Sequence, residues 1–413
     1  MANLRWLKAG LGIKRWVILI CVSMLLVICG SIAFGLGLFG VLEQTQMLAL
    51  SPYGAGIALL LLGGTGVFIG VYRLARRIEK ILKANDDARG LAEIAIARSQ
   101  QGPKIVCVGG GHGLNRLLSG LRGHSNRITA VVSVADDGGS SGRLRNEFGM
   151  LPPGDIRNCL SALADPNSTM GGLMQYRFSE GELAGHAFGN LFIMVLTKLT
   201  GRFDLAVREA NRLLNVRGQV LPVALDKLTL VATHEDGTKT TGQKNISYCG
   251  KKIRELTLKP KPSGAPEDVI ERLLDADMIV IGPGSLYTSI LPNLLMPDVV
   301  EAIARSKAKV YFVINTTMQP GETPGFKVND YFEALYRHAP GIRLDAAIVN
   351  NYRPSPARLE QLRAEGKDIT EYDNVLRSDV RILLRDVITL DDPEKHDPDK
   401  LARVLMEEWE NRG

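Results

Sequence analysis

The chain has 413 residues, 45% of them apolar and 23% charged, with a formal charge of +6. It is too long for one ordinary domain and has the composition of a folded protein. The basic excess clusters beside the apolar N-terminal runs, so it does not argue for nucleic acid. The five cysteines show no CxxC pair or Cys/His spacing, so they indicate neither a zinc site nor a disulfide framework.

Residues 16–42 carry no charge, and a second uncharged run covers 44–72. Helices of about 20 apolar residues span a bilayer. The second run opens on SPYGAG, which predicts a turn, so its helix is expected over 56–72. A signal peptide is disfavoured, because no small-x-small site precedes a polar start. Arg5, Lys8, Lys14 and Arg15 stand before the first run, and Arg73, Arg76, Arg77, Lys80 and Lys83 after the second. The connection has Glu43 and no base. The positive-inside rule then puts both ends in the cytoplasm. Residues 1–74 are expected to be a two-helix transmembrane anchor in the inner membrane, with the large C-terminal domain cytoplasmic. Neither helix holds an ionisable group, which argues against a pore. Residues 75–102 predict a helical linker near anionic headgroups, or a short dimerising helix.

A domain over 103–392 follows, closed by a C-terminal helix within 393–413. IVCVGG (105–110) is apolar throughout, as a parallel strand covered on both faces would be. Gly110, Gly111, His112, Gly113 and Leu114 then lead into a helix over 114–122. A strand, a glycine turn and a helix present free N–H groups to a phosphate. The match to G-x-G-x-x-G is partial because Leu114 takes the third glycine's place, and a plain tight turn is the other reading. The strand over 129–134 ends on Asp136 and Asp137, where a carboxylate meets ribose in a Rossmann unit or holds magnesium through water. A solvated acidic turn is the alternative. Ser140, Ser141 and Gly142 supply hydroxyl and amide donors, and Arg143 and Arg145 supply forked ones suited to phosphate. PPGDIRN adds Asp155, Arg157 and Asn158 at a helix start, with Asp155 as its N-cap; if Asp155 is only a cap, the motif loses its functional claim.

An apolar, buried helix is expected within 183–201, entered through Gly185-His186 and Gly189-Asn190, with another over 203–215. Residues 221–258 read as an antiparallel insertion of short strands. The α/β pattern returns after Pro266. MIVIGPGSLYTSILPNLL is a strand running into a second glycine loop, with Gly282, Gly284 and Ser285 as donors and Tyr287 as a flat ring. Later strands end at Asn315-Thr316-Thr317 and cover 346–350 and 381–387; an amphipathic helix over 399–409 closes the chain. Strands that end in polar, glycine-rich loops on one sheet edge mark the ligand side of an open α/β fold.

GGGHGL, VADDGGSSGRLR, PPGDIRN, GHAFGNL, NVRGQVLP and IGPGSLYTSILPNLL, spread over about 104–392, resemble the YvcK-type gluconeogenesis factor family. That family is related to the deazaflavin-cofactor enzyme 2-phospho-L-lactate transferase (CofD-like proteins). The resemblance implies a Rossmann-like three-layer α/β/α sandwich that binds a UDP-sugar, notably UDP-N-acetylglucosamine. It also implies a role in cell shape and cell-wall synthesis on gluconeogenic carbon, with no firm catalytic activity, and a place for Tyr287 in the UDP-sugar pocket. The membrane hairpin lies outside the resemblance, and His112 stands where a threonine is expected. A transferase is the alternative, moving a phospholactyl group from a guanylylated donor to a deazaflavin, with Asp136 or Asp137 holding Mg2+ and Arg143 a phosphate. An NAD(P)-binding protein is a further one. No nucleophile is evident. Expected partners are the nucleotide sugar, the membrane, a second copy of the chain, and cell-wall synthesis or regulatory proteins, but no nucleic acid.

Overall fold

Helices α1 (Lys14–Leu38) and α2 (Pro52–Lys83) pack side by side through small residues. A Cβ on Gly63 would sit 2.7 Å from the Val27 side chain, and one on Gly56 would sit 2.8 Å from the Phe34 backbone. The computed structural model describes residues 14–38, 52–83, 102–373, 379–389 and 392–411. It divides into two units, Met1–Arg98 and Ser99–Gly413. Arg5, Lys8, Glu43 and linker residues 84–101 lie outside the described residues. Two expectations for the first unit change. The helix starts inside the supposed SPYGAG turn, because Pro52 falls in its first turn, where proline is tolerated. It then runs past Tyr72 without a break to Lys83. Among the described residues, only Ala55–Arg76 is long and apolar enough to cross a membrane; Ile18–Phe34 falls short. Of the expected pair, one helix therefore has the length and apolar content a span needs, and the other does not.

In the second unit, β1 (Ile105–Gly109) leads into α3 (Gly111–Leu121), and β2 (Ile128–Val132) into α4 (Gly139–Phe148) and α5 (Gly154–Leu163). Helices α6 (Thr169–Gln175), α7 (Phe188–Thr200) and α8 (Phe203–Leu213) precede β3 (Gln219–Pro222). Strands β4 (Thr229–His234), β5 (Lys239–Thr241) and β6 (Ile253–Lys259) form the antiparallel insertion, ordered β5-β4-β6, with α9 (Gln243–Cys249) between the last two in sequence. Helix α10 (Glu267–Leu274) leads to β7 (Met278–Ile281), a π-helical turn over Leu286–Ile290, α11 (Leu291–Leu294) and α12 (Pro297–Arg305). The chain ends through β8 (Lys309–Val313), α13 (Val328–His338), β9 (Ala346–Asn350), α14 (Pro356–Ala364), β10 (Arg381–Arg385) and α15 (Pro398–Glu410).

The large sheet has the order β10-β9-β8-β7-β1-β2-β3, with every neighbouring pair parallel. This is the expected α/β architecture with its small antiparallel insertion. The chain runs outward from β1 to β3, then restarts at β7 on the other side of β1 and runs out to β10. Strand order therefore reverses between β1 and β7, and a crevice opens there at the strands' carboxyl ends. The core explains why the strands read as unbroken apolar runs: Ile105, Cys107, Val108, Val280 and Phe312 are fully buried. On α3, Leu114, Leu117, Leu118 and Leu121 fall on one face and are all fully buried, at about 1.5–3 kcal/mol each.

Helix α3 starts at Gly111, earlier than expected, because the glycine turn is itself wound into the helix. Helix α7 is shorter than 183–201, and it is not buried throughout: Leu199 is 77% exposed, while Gly189, Asn190 and Ile193 form its buried side.

Candidate functional site

The two glycine loops straddle the reversal point. Gly111 has φ +66, a left-handed conformation that glycine adopts without steric cost. A Cβ on Gly113 would lie 2.6 Å from the Pro283 carbonyl oxygen, so the loop after β1 touches the loop after β7 only because this residue is glycine. Asn293 fixes the underside, its Nδ2 donating to the Gly109 carbonyl at 3.0 Å and the Ser289 carbonyl at 2.8 Å. The α3 N-terminus thus opens into a cleft of about 1140 Å³.

Most of the residues singled out from sequence meet in this cleft. Gly110, Gly111, His112, Gly113, Asp136, Ser140 and Ser141 line one side with Asp155, Arg157, Asn158 and Asn190; Gly284, Ser285 and Asn315 line the other. Several do not line it. Leu114 is in the core. Asp137 turns away, its Oδ1 accepting from the Lys244 N–H at 2.9 Å. A Cβ on Gly142 would collide with the Asp137 carbonyl. Arg143 donates to the Ala184 carbonyl at 2.9 Å and Arg145 to Thr229 Oγ1 at 2.7 Å, so both hold the fold together. His186 stands behind Ser140, with Nδ1 3.1 Å from its Oγ, and Asn190 Nδ2 donates to the same Oγ at 3.0 Å. Gly282 lies beneath the second loop. Tyr287 corrects an expectation: the π-helical turn is wholly buried, and its ring packs edge-on against Phe326 and His338 rather than facing the cleft. Asp155 corrects another. The N-cap of α5 is Pro153, and the Asp155 carboxylate instead accepts from the Gly111 N–H, tying α5 to the glycine loop.

Two carboxyls dominate the electrostatics of the floor. Burial raises the Asp155 carboxyl above its ordinary range, and the neighbouring Asp136 charge raises it further. Asp136 is likewise raised, by burial first, although Gly138 N–H donates to it at 2.9 Å. Arg157 lies beside them, giving Nη2 to Asn158 Oδ1 at 2.8 Å and Nη1 to Gln175 Oε1 at 3.2 Å. Asp136 and Asp155 make a two-carboxylate site suited to a hard dication that keeps waters and ligand oxygens. Asp137 does not contribute, and among the described residues no group of three or more His, Cys, Asp or Glu side chains is placed to hold a metal.

Sequence reasoning found the start of the far wall, at the second glycine loop and the Asn315-Thr316-Thr317 strand end, and missed the rest: residues 318–322 and 394–396 line it, together with Lys367 and, from the insertion, Gln243, Ser247 and Tyr248. Glu322 is buried, with its carboxyl raised by that burial, and accepts from Thr288 Oγ1 at 2.6 Å and Ser247 Oγ at 2.9 Å. Burial pushes the His396 imidazole down to about 4. Local patterns could not have found these residues, because only the sheet order brings them to the β1/β7 crevice.

Eleven buried side-chain polar atoms lack a hydrogen-bond partner among the described residues, and six of them belong to cleft residues: Arg157, Asn190, Gln243, Thr316, Gln319 and His396. Buried polar groups are normally paired. Their concentration here marks a surface built to receive a polar ligand.

The family model described as 2-phospho-L-lactate transferase CofD matches residues 105–389. The chain belongs to the CofD family. Among its family relatives, a Nostoc protein named putative gluconeogenesis factor is 41% identical, over 97% of this chain and 91% of that one. The Bacillus subtilis gluconeogenesis factor is 41% identical over 74% of this chain and 98% of its own length. A Bacillus halodurans crystal structure superposes with a TM-score of 0.71 at 39% identity, covering 74% of this chain and 100% of that one. The motif resemblance to gluconeogenesis factors and the α/β fold it implied are thereby established.

Proposed function

We propose that this CofD-family chain is a membrane-anchored regulator that binds a UDP-sugar, with UDP-N-acetylglucosamine as the first candidate, and acts in cell shape, cell-wall synthesis and gluconeogenic growth. The observation that carries the binding reading is the gathering of unpartnered polar atoms around paired glycine loops at the reversal point. The cleft's 1140 Å³ exceeds the usual range for a compact ligand and suits one with two parts joined by a diphosphate. The relatives' names supply the link to gluconeogenesis. In this reading the α3 N-terminus, beside the second glycine loop, would meet the diphosphate oxygens. Asp136 and Asp155 would hold Mg2+, which supplies charge neutralisation when bound. The outward apolar side chains of α1 and α2 support the anchor.

Calorimetry on the full-length chain in mild detergent tests the reading. Saturable heat with UDP-N-acetylglucosamine is expected, and no heat with or without Mg2+ sinks it. The transferase reading draws on the family description and the buried carboxylate pair. Incubation with a guanylylated phospholactate donor, a deazaflavin and Mg2+ decides it, since a coupled product would replace regulation with catalysis.

A further inference from the structure

Helix α9 belongs to the antiparallel insertion, yet it is fastened to the rim of the cleft at several points. The Lys244 N–H donates to Asp137 Oδ1 at 2.9 Å, and Ser247 Oγ donates to the buried Glu322 at 2.9 Å. Gly321 approaches the Ser247 carbonyl so closely that any Cβ would overlap it. Gly242, which enters the helix at φ +93, leaves no room for a side chain beside Asp137. Helix α9 is therefore held in register with both walls of the cleft.

It presents Gln243, Ser247 and Tyr248 to the cavity; Ser247, four positions on, shares Gln243's side of the helix, and Tyr248 lines the cavity from the adjoining flank. Tyr248 is 81% exposed, the most exposed large hydrophobic side chain among the described residues. Gln243 has the opposite problem: its Oε1 is buried and has no hydrogen-bond partner. One residue offers an uncovered aromatic face and the other an acceptor lacking a donor. A flat heterocycle with a ring N–H satisfies both, its face on Tyr248 and its N–H on Gln243.

We infer that α9 forms the ring-recognition subsite of the cleft, with Tyr248 stacking a planar heterocycle and Gln243 accepting from an N–H on its edge. This rests on the nucleotide reading above and gives it a base preference. Uracil carries the required ring N–H, whereas the corresponding ring nitrogen of cytosine only accepts. The pyrimidinedione ring of a deazaflavin carries the same donor and is a second source of this chemistry.

The test is calorimetry on the full-length chain in mild detergent with UDP-N-acetylglucosamine, CDP, a deazaflavin and inorganic pyrophosphate. The proteins are the wild type, Tyr248→Ala, Tyr248→Phe and Gln243→Leu. Tyr248→Ala is expected to weaken the uridine ligand by about tenfold or more and to leave pyrophosphate unchanged, while Tyr248→Phe retains binding. Gln243→Leu is expected to erase the uridine-over-cytidine preference. Tyr248-dependent binding of the deazaflavin in place of the uridine ligand supports the subsite and assigns its ring to the second source. Uridine binding by both Tyr248→Ala and Gln243→Leu that stays within about twofold of wild type overturns the inference and leaves the nucleotide reading standing. A wild type that binds pyrophosphate but no ring-bearing ligand removes both.

Discussion

In the N-terminal hairpin the small residues face inward and the large apolar ones outward: Gly56 and Gly63 meet the partner helix, while Leu61, Leu62 and Phe68 are 65–72% exposed. In the α/β unit the arrangement is reversed, with Phe312 and Phe332 buried edge to face and the polar side chains gathered in a cleft. Under the membrane-anchor proposal, the difference lies in the surroundings each surface meets. Burying large side chains stabilises a fold in water, while close backbone approach through small residues is how helices associate where the surroundings are already apolar.

The sharpest contrast comes from the same truncation in both units. Phe312→Ala should cost about 3–5 kcal/mol in urea unfolding. Phe68→Ala should stay within about 0.5 kcal/mol, since it empties no cavity; a large loss there would mean its surface is covered by protein. A charge on the hairpin's outer face comes next. Leu62→Lys at the centre of a span costs about 2.5–3.5 kcal/mol, and the variant should shift from the membrane pellet to the alkaline extract. Retention equal to wild type would break the lipid-facing reading. Gly113→Ala is the third: it should force the glycine loops apart and lower ligand affinity by about tenfold, or roughly 1.4 kcal/mol, with secondary structure by circular dichroism unchanged.

The smallest effect is titration of the carboxylate pair. Asp136 and Asp155 are both raised in the folded chain, chiefly by burial, so the fold holds protons that the unfolded chain has already shed. Their contribution to stability is full below the ordinary carboxylate range, near about pH 4, and is lost as pH rises through the raised values. A cation must displace that proton, so Mg2+ affinity should rise with pH. Asp155→Asn should flatten both trends in thermal melts, and melts that keep their pH slope in this variant would assign the titration to other groups.

What could be read from sequence followed what is local. The unbroken apolar strands and the glycine loops at 109–113 and 282–284 were legible because period and turn chemistry act within a few residues. Asp136 was legible because it stands in the loop just past a strand, at the sheet edge that faces the cleft. Asp155 was misread because a carboxylate at a helix start has the same local signature whether it caps its own helix or accepts from Gly111 across the fold. Tyr287 was misplaced because the π-helical turn, which spacing does not announce, carries its ring into the core. Gln243, Tyr248 and His396 were missed because an insertion and a C-terminal segment reach the crevice only through the order of the strands.

That C-terminal segment has a consequence for how the protein is made. Glu394, Lys395 and His396 contribute to the cleft wall, and the Arg116 guanidinium of α3 donates to the His396 carbonyl at 3.1 Å. Helix α15, which follows directly, packs on α3. On the ribosome, the glycine loop emerges nearly 300 residues before the part of the wall that completes it. A nascent chain therefore lacks this part of the cleft wall until residues 394–396 have emerged and docked on α3.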